Sequence, residues 1–149
     1  MAAAIIAAAA ALAGVLLQSL IGDWRARSER RRRELADAVR AVLRAFVEFR
    51  AQQYLKIAAR RDGVADSLEA RRARYQARSD LTAAIDQLHT ATGDTRLLAA
   101  AETARRLAVA LGDAATEAGV NEEQVRDFGE QARQAHTALR DAAARTLNT

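Results

Sequence analysis

The sequence predicts an all-α protein, in which a single N-terminal transmembrane helix continues into an up-down antiparallel bundle of about four helices. Three observations support this prediction. The 149 residues contain no proline and only seven glycines, so few positions interrupt a helix. Residues 2–22 carry no charged side chain. After them, apolar residues recur three and four positions apart, which is the spacing of a helix with one buried face.

Residues 1–22 are predicted to form the transmembrane anchor. About 20 residues at a rise of about 1.5 Å each span about 30 Å, the thickness of the hydrocarbon core of a bilayer. More than half of residues 2–22 are alanine or glycine, so a buried helix of a soluble bundle is the alternative. The isoleucine, leucine and valine residues favour insertion into the membrane by roughly 2–5 kcal/mol in total, so the sequence favours a membrane-spanning helix over a buried helix of a soluble bundle. A cleaved signal peptide is disfavoured because no basic residue precedes Arg25.

Residues 23–33 are predicted to form a basic juxtamembrane stalk, because residues 24–33 contain six arginines and one glutamate. The positive-inside rule then places the N-terminus outside and the bundle in the cytoplasm, which makes the chain a single-pass protein of the cell membrane. Guanidinium groups match phosphate oxygens, whether those of anionic lipid or of DNA. The predicted membrane- or phosphate-contacting residues are Trp24, Arg25, Arg27, Arg30, Arg31, Arg32 and Arg33.

Residues 34–149 are predicted to form the cytoplasmic helical bundle. Its first helix is expected to run on from the stalk to Arg61, where Gly63 can adopt the left-handed conformation that ends a helix. The buried seam of this helix is predicted to be Leu35, Val39, Val42, Phe46 and Phe49, with Leu43, Val47 and Tyr54 beside it.

The second helix is predicted to begin at Asp66, with Glu69 completing a capping box, and to end at Gly93. Its predicted apolar stripe is Leu68, Tyr75, Thr82, Ile85 and Leu88. We interpret its arginines as a solvated face and both tyrosines of the chain as packing residues. The arginines are Arg71, Arg72, Arg74 and Arg78.

The third helix is predicted to begin after the N-cap Asp94 and to run to about Ala118, where Gly119 closes it. Asn121 is predicted to cap the fourth helix. The seam of the fourth helix is predicted to be Val125, Phe128, Ala132, Ala135, Leu139, Ala142 and Thr146. The predicted linkers have two to five residues, which makes neighbouring helices antiparallel.

No constellation of residues predicts catalysis. The chain has no cysteine, which excludes disulfides and thiolate chemistry. His89 and His136 lack carboxylates at metal-ligand spacing, and no phosphate-binding loop motif is present. We therefore expect no catalytic, cofactor-binding or metal-binding residue, no cofactor and no enzymatic activity.

The charge distribution points to anionic partners. The net charge is +4, and the surplus lies in residues 1–93, which hold 16 basic and 10 acidic residues. The membrane is the expected partner, and non-specific DNA is a weaker alternative. The small-residue spacing of Ala10 and Gly14 would allow two copies of the first helix to pair, so a homo-oligomer is a further expectation.

The order of these segments resembles the KilB proteins, which are encoded on conjugative plasmids and integrated elements of Streptomyces and related actinomycetes. The resemblance rests on an uncharged N-terminal segment, an arginine-rich stretch, and three segments within the bundle. These are FRAQQYLKIAARRDG (Phe49–Gly63), ARYQARSDLTAAI (Ala73–Ile85) and ARQAHTALRDAAAR (Ala132–Arg145). The resemblance implies a membrane-associated accessory protein in plasmid transfer and intramycelial spread, and it implies no catalytic residue.

Three functions are therefore open from the sequence. The leading one is a membrane-anchored helical interaction protein that contacts proteins of a plasmid-transfer apparatus. The alternative is a module that binds the phosphate of DNA or anionic lipid through the arginine-rich stalk. A membrane-permeabilising protein of phage type is the third, and an ordered bundle of this length argues against it.

Overall fold

The chain folds into four helices, and this computed structural model describes the backbone of residues 2–148 and the side chains of residues 22–148. The elements are α1 (Ala2–Arg61), α2 (Leu68–Ala91), α3 (Thr95–Asp113), β1 (Ala115–Thr116), β2 (Gly119–Val120) and α4 (Glu122–Leu147). The predicted all-helical fold with four helices is confirmed. The two short strands pair antiparallel, with Ala115 opposite Val120, and they occupy the place where the sequence predicted the end of the third helix.

The residues form two compact units, Met1–Glu34 and Leu35–Thr149. The second unit contains residues 35–61 of α1 together with α2, α3, the β1–β2 hairpin and α4. The core and the candidate site described below both belong to this second unit.

Capping groups explain where three of the four helices begin. Asp94 accepts hydrogen bonds from the backbone N–H groups of Arg96 and Leu97, and Asn121 accepts one from Gln124, so both predicted caps are confirmed. The cap of α2 was predicted one residue early. Its N-cap is Ser67, whose hydroxyl oxygen accepts the Ala70 N–H at 3.1 Å.

The turn after α1 is closed by a glycine, as predicted. Gly63 has a φ of 65°, a conformation that side chains with a Cβ rarely adopt. The next residue, Val64, donates its N–H to the carbonyl oxygen of Ala59 at 2.8 Å, which satisfies one of the free carbonyls at the helix end.

The main core lies between the four helices. Helices α3 and α4 pack closely against each other, and the buried faces of both are rich in alanine, which allows a short separation. The large side chains that fill the core are Val42, Phe46, Leu81, Leu88, Leu97 and Leu139, and all of them are fully buried. They come from every helix of the bundle, so the core ties all four together.

A second, smaller apolar cluster lies where α1 and α3 end and α4 begins. Ile57 and Leu111 are fully buried there, and Val125 and Ala115 pack against them. Phe128, which the sequence placed in the seam of the fourth helix, is only partly buried in this cluster. The β1–β2 hairpin contributes to it through Ala115 and Val120.

The predicted stripe of α2 is wrong at Leu68, Tyr75 and Thr82, which are exposed, and right at Ile85 and Leu88, which are buried. Leu68 and Tyr75 are 65% and 74% exposed, and Tyr54 of α1 is also exposed, so neither tyrosine is a core residue. The residues of α2 that are buried are Ala77, Leu81, Ala84, Ile85 and Leu88. A spacing of seven drifts by about 20° per repeat around a straight helix, so residues chosen at that spacing rotate away from the core.

The predicted localisation, a single-pass protein of the cell membrane, needs correction. In the part of the chain that the structure describes, none of the helices is both long enough and apolar enough to cross a membrane. The physical reason is charge: from Asp23 onward α1 carries ionised side chains in nearly every turn, and α2, α3 and α4 are charged on their outer faces. The predicted anchor, residues 1–22, falls almost wholly on residues 1–21, whose side chains lie outside the described residues.

We predict that Phe46→Ala lowers the free energy of unfolding by about 3–5 kcal/mol, because the ring is fully buried between helices and its removal leaves a cavity. The same substitution at the partly buried Phe128 is the matched control and should cost clearly less. Urea unfolding of the full-length variants measures both values. Equal losses at the two positions would contradict the distinction between the main core and the smaller cluster.

His136 gives the fold a dependence on pH. Its ring lies 5.3 Å from the ring of Phe46, and the guanidinium of Arg50 lies 5.5 Å from that same Phe46 ring. Burial lowers the pKa of His136, and the positive charges of Arg50 and Arg140 lower it further. The folded chain therefore resists protonation of this imidazole, whereas the unfolded chain protonates it at the ordinary pKa of about 6.5.

We predict that the free energy of unfolding falls as the pH is lowered from about 7.5 to about 5.5, because the unfolded state then binds more protons than the folded state. The variant His136→Gln should show a shallower decline over the same interval. Thermal unfolding at a series of pH values measures the two slopes. A wild-type slope that His136→Gln leaves unchanged would rule out this histidine as the cause.

Candidate phosphate-binding cleft

A cleft opens in the bundle because the first turns of α2 take no part in the core. Residues 68–76 contain no buried side chain, and the first buried residue of α2 is Ala77. The space between this half of α2, the last turns of α1 and the end of α3 is a cleft of about 360 Å³. Its lining residues are Phe49, Gln53, Lys56, Arg60, Asp66, Arg71, Arg74, Tyr75, Arg78, Val109 and Asp113.

The cleft is strongly cationic, since five of its lining side chains are basic and two are acidic. One basic residue is neutralised directly. Arg74 forms a salt bridge with Asp66 in which both side chains are mostly buried. The Arg74 guanidinium holds the pKa of Asp66 below its ordinary value, so this carboxylate stays ionised beside it.

Lys56 forms part of the inner wall of the cleft. Its Nζ donates a hydrogen bond of 2.8 Å to the carbonyl oxygen of Gly112, in the last turn of α3. Burial lowers the pKa of Lys56, the carboxylate of Asp113 opposes that change, and the charges of Arg74 and Arg60 reinforce it. A cation at this point also complements the negative end of the α3 dipole.

Three arginines of the cleft remain available to a ligand. Within the described part of the chain, Arg60, Arg71 and Arg78 form neither a salt bridge nor a side-chain hydrogen bond. Arg71 and Arg78 are exposed and Arg60 is half-buried. Planar guanidinium groups without a carboxylate partner are suited to bind phosphate oxygens through paired hydrogen bonds.

Tyr75 lies among these arginines with most of its ring in solvent. Arg71, Tyr75 and Arg78 follow one another at spacings of four and three residues, which places them on one face of α2. The sequence alone had assigned Tyr75 to the core. The structure instead places it in the cleft, between two arginines.

The shape of the cleft depends on a close approach between α1 and α3. Gln53 of α1 is 93% buried and packs against Gly112 of α3. A Cβ atom on Gly112 would overlap the Gln53 amide oxygen and lie 2.8 Å from its Cδ atom. Glycine at this position therefore allows Gln53 to line the cleft.

The sequence contained a signal for this cleft that its apolar pattern concealed. The seam of α1 continues beyond Phe49 at the same spacing, but the next three positions are Gln53, Lys56 and Arg60. A polar continuation of a buried seam indicates that the helix faces a polar cavity there. The arginines of α2, interpreted from sequence as a solvated face, lie opposite it.

The predicted stalk residues lie in the first compact unit and are all exposed, Trp24 by 71%. Trp24, Arg27 and Arg31 lie on one face of α1 and line a shallow groove there. Arg33 pairs with Glu29 at 3.4 Å, a solvent-exposed contact that contributes little to stability. Contact of these residues with a membrane or with phosphate stays a prediction.

The described residues include no group of three or more histidine, aspartate or glutamate side chains that could hold a metal ion. His136 packs on Phe46, and His89 lies exposed in the last turn of α2. The cleft itself offers cations, an amide and a phenol, which are groups that bind anions and aromatic rings non-covalently.

The chain matches a known protein family. The family described as KilB plasmid transfer protein matches residues 36–147, a range that includes every residue of the cleft. None of the curated proteins and none of the solved structures matches the chain.

We predict that Gly112→Ala destabilises the fold by about 1–3 kcal/mol, because Gln53 must leave its buried position to make room for the new methyl group. The loss should exceed the roughly 1 kcal/mol that alanine gains over glycine in a helix. In the double variant Gly112→Ala/Gln53→Ala, much of the stability should return. Urea unfolding of the two single variants and the double variant measures the coupling, and strictly additive effects would contradict this contact.

Proposed function

The chain belongs to the KilB plasmid transfer protein family, and on that premise we propose that it contributes to transfer by binding the phosphate backbone of nucleic acid in the cationic cleft. Membership of the family indicates a role in plasmid transfer. The proposal specifies the chemistry of that role. The protein acts as a non-enzymatic accessory that holds nucleic acid.

The observation that carries the proposal is the charge of the cleft. Two carboxylates face five cations, and one of these carboxylates is already paired with Arg74. Arg60, Arg71 and Arg78 form no salt bridge or side-chain hydrogen bond in the described structure, although Arg60 and Arg71 lie within electrostatic reach of Asp66. A low-dielectric wall that includes Phe49 and Val109 strengthens the field of these charges within the cleft.

Nucleic acid is the polyanion that a plasmid-transfer process handles. Each phosphate that an arginine neutralises releases condensed counterions, and this release drives binding without regard to sequence. Such binding suits an accessory that must hold DNA of any sequence. The cleft therefore explains a contribution to transfer without requiring sequence recognition.

The stalk arginines are the competing site for the same chemistry. Six arginines between residues 25 and 33 could contact phosphate, and their clustering in the sequence favours them over the arginines of α2. Contacts with proteins of a transfer apparatus and self-association also stay predictions. An experiment on nucleic-acid binding must therefore separate the cleft from the stalk.

We predict that Arg71→Gln/Arg78→Gln weakens the binding of a single-stranded oligonucleotide by the full-length protein and reduces its salt dependence. Loss of two phosphate contacts should lower the slope of log K against log salt by about 1.4 for single strands. Fluorescence anisotropy over a range of salt concentrations measures the slope.

The matched control is Arg126→Gln/Arg145→Gln, which removes the same charge from exposed positions of α4 outside the cleft. A third variant, Arg30→Gln/Arg32→Gln, removes it from the stalk. Circular dichroism spectra and unfolding curves confirm that each variant is folded. An equal reduction by the cleft and control pairs would reject the cleft, and a loss confined to the stalk pair would transfer the function to the stalk.

A further inference from the structure

We propose that the cleft is selective for single-stranded nucleic acid, and that Tyr75 provides the surface on which one unpaired base stacks. This inference rests on the proposed function, because it names the form of nucleic acid that the same cleft binds. It follows from the exposure of Tyr75, the size of the cleft and the spacing of the arginines on α2.

The exposure of Tyr75 has no explanation in the fold. An aromatic ring usually buries a large apolar area, yet 74% of Tyr75 remains in solvent. The ring does not serve the core, whose residues on α2 begin at Ala77. An exposed ring beside arginines is the combination that proteins use to bind single strands, since every base offers a face for stacking.

The spacing of α2 places this ring between two phosphate-binding groups. Arg71 and Arg78 are seven residues apart, so their Cα atoms are separated by about 10 Å along the helix axis. Tyr75 lies between them on the same face. One base can therefore stack on the ring while the phosphates on its two sides reach the two guanidinium groups.

The size of the cleft argues against duplex DNA. A volume of about 360 Å³ is that of a small-molecule site and not that of a groove for a double helix. The bases of a duplex are stacked on one another, so their faces are not available to Tyr75. A duplex could place one backbone against the arginines but would leave the ring unused.

Gln53 adds a hydrogen-bonding group to the same cleft. Its side chain carries both an amide donor and a carbonyl acceptor, and its position is fixed by packing against Gly112. Lys56 lies beside it and is fixed by its bond to the Gly112 carbonyl oxygen. The inner cleft therefore presents polar groups held in place, while Arg71 and Arg78 on α2 form no salt bridge in the described structure.

The test compares Tyr75→Ala with wild type in the full-length protein. We expect Tyr75→Ala to weaken binding of a short fluorescein-labelled oligothymidylate about 5- to 150-fold, the range for loss of one stacked base. Tyr75→Phe should retain the affinity, because it keeps the ring. Tyr54→Ala, which removes the other tyrosine from outside the cleft, should leave the affinity unchanged.

Two further ligands separate stacking from charge. An abasic oligomer of equal length keeps the phosphates and lacks the bases, so Tyr75→Ala should not weaken its binding. A duplex of oligothymidylate with oligoadenylate should bind more weakly than the single strand and should be insensitive to Tyr75→Ala. Circular dichroism and unfolding curves check that the variants remain folded.

The outcomes distinguish this inference from the proposed function. If Arg71→Gln/Arg78→Gln weakens binding while Tyr75→Ala does not, the cleft binds phosphate without stacking, and the inference is overturned. Tighter binding of the duplex than of the single strand also overturns it. If neither variant changes the affinity for any of the three ligands, the proposed function itself fails.

Discussion

The packing of one face of α1 against the other three helices determines where both the core and the cleft lie. Val42 and Phe46 are fully buried on this face, and a residue at the same spacing fills every layer up to Phe49. Beyond Phe49 the same face carries Gln53, Lys56 and Arg60. Burial of an apolar seam favours packing of α2 against α1, whereas a polar and cationic face does not. The first turns of α2 therefore lie apart from the core, and a cleft remains between the helices.

A cleft of this charge needs internal compensation if it is to remain folded and still bind an anion. Five unpaired cations in one concave surface would repel one another, and five paired ones would leave nothing for a ligand. In this chain some of the five cations are paired within the protein and the others are not. Arg74 is paired with Asp66, and Lys56 is held by the end of α3 near Asp113, while Arg60, Arg71 and Arg78 form no salt bridge in the described residues.

Short-range features of this fold were predictable from the sequence, and the cleft was not. Asp94 and Asn121 cap their helices through backbone groups two or three residues away, so the local sequence suffices to identify them. The cleft joins residues as distant in sequence as Gln53 and Asp113. Tyr75 looked like a core residue because aromatic residues at helical spacing usually are. Its position depends on which face of α2 is buried. That face is marked mainly by alanines such as Ala77 and Ala84, which are only weakly hydrophobic and therefore do not stand out in the apolar pattern of the sequence.

A defined binding site does not require catalytic groups. Catalysis requires reacting groups held at fixed distances, whereas retention of a polyanion requires a fixed wall and movable cations. Gly112 provides the first requirement, because it lets Gln53 and Lys56 pack against the end of α3. The arginines on the N-terminal turns of α2 provide the second, because no core contact or salt bridge holds Arg71 or Arg78 in one conformation. Fixed inner groups and outer arginines that no salt bridge holds suit a cleft that binds a polyanion of varied sequence, which is what the proposed function requires.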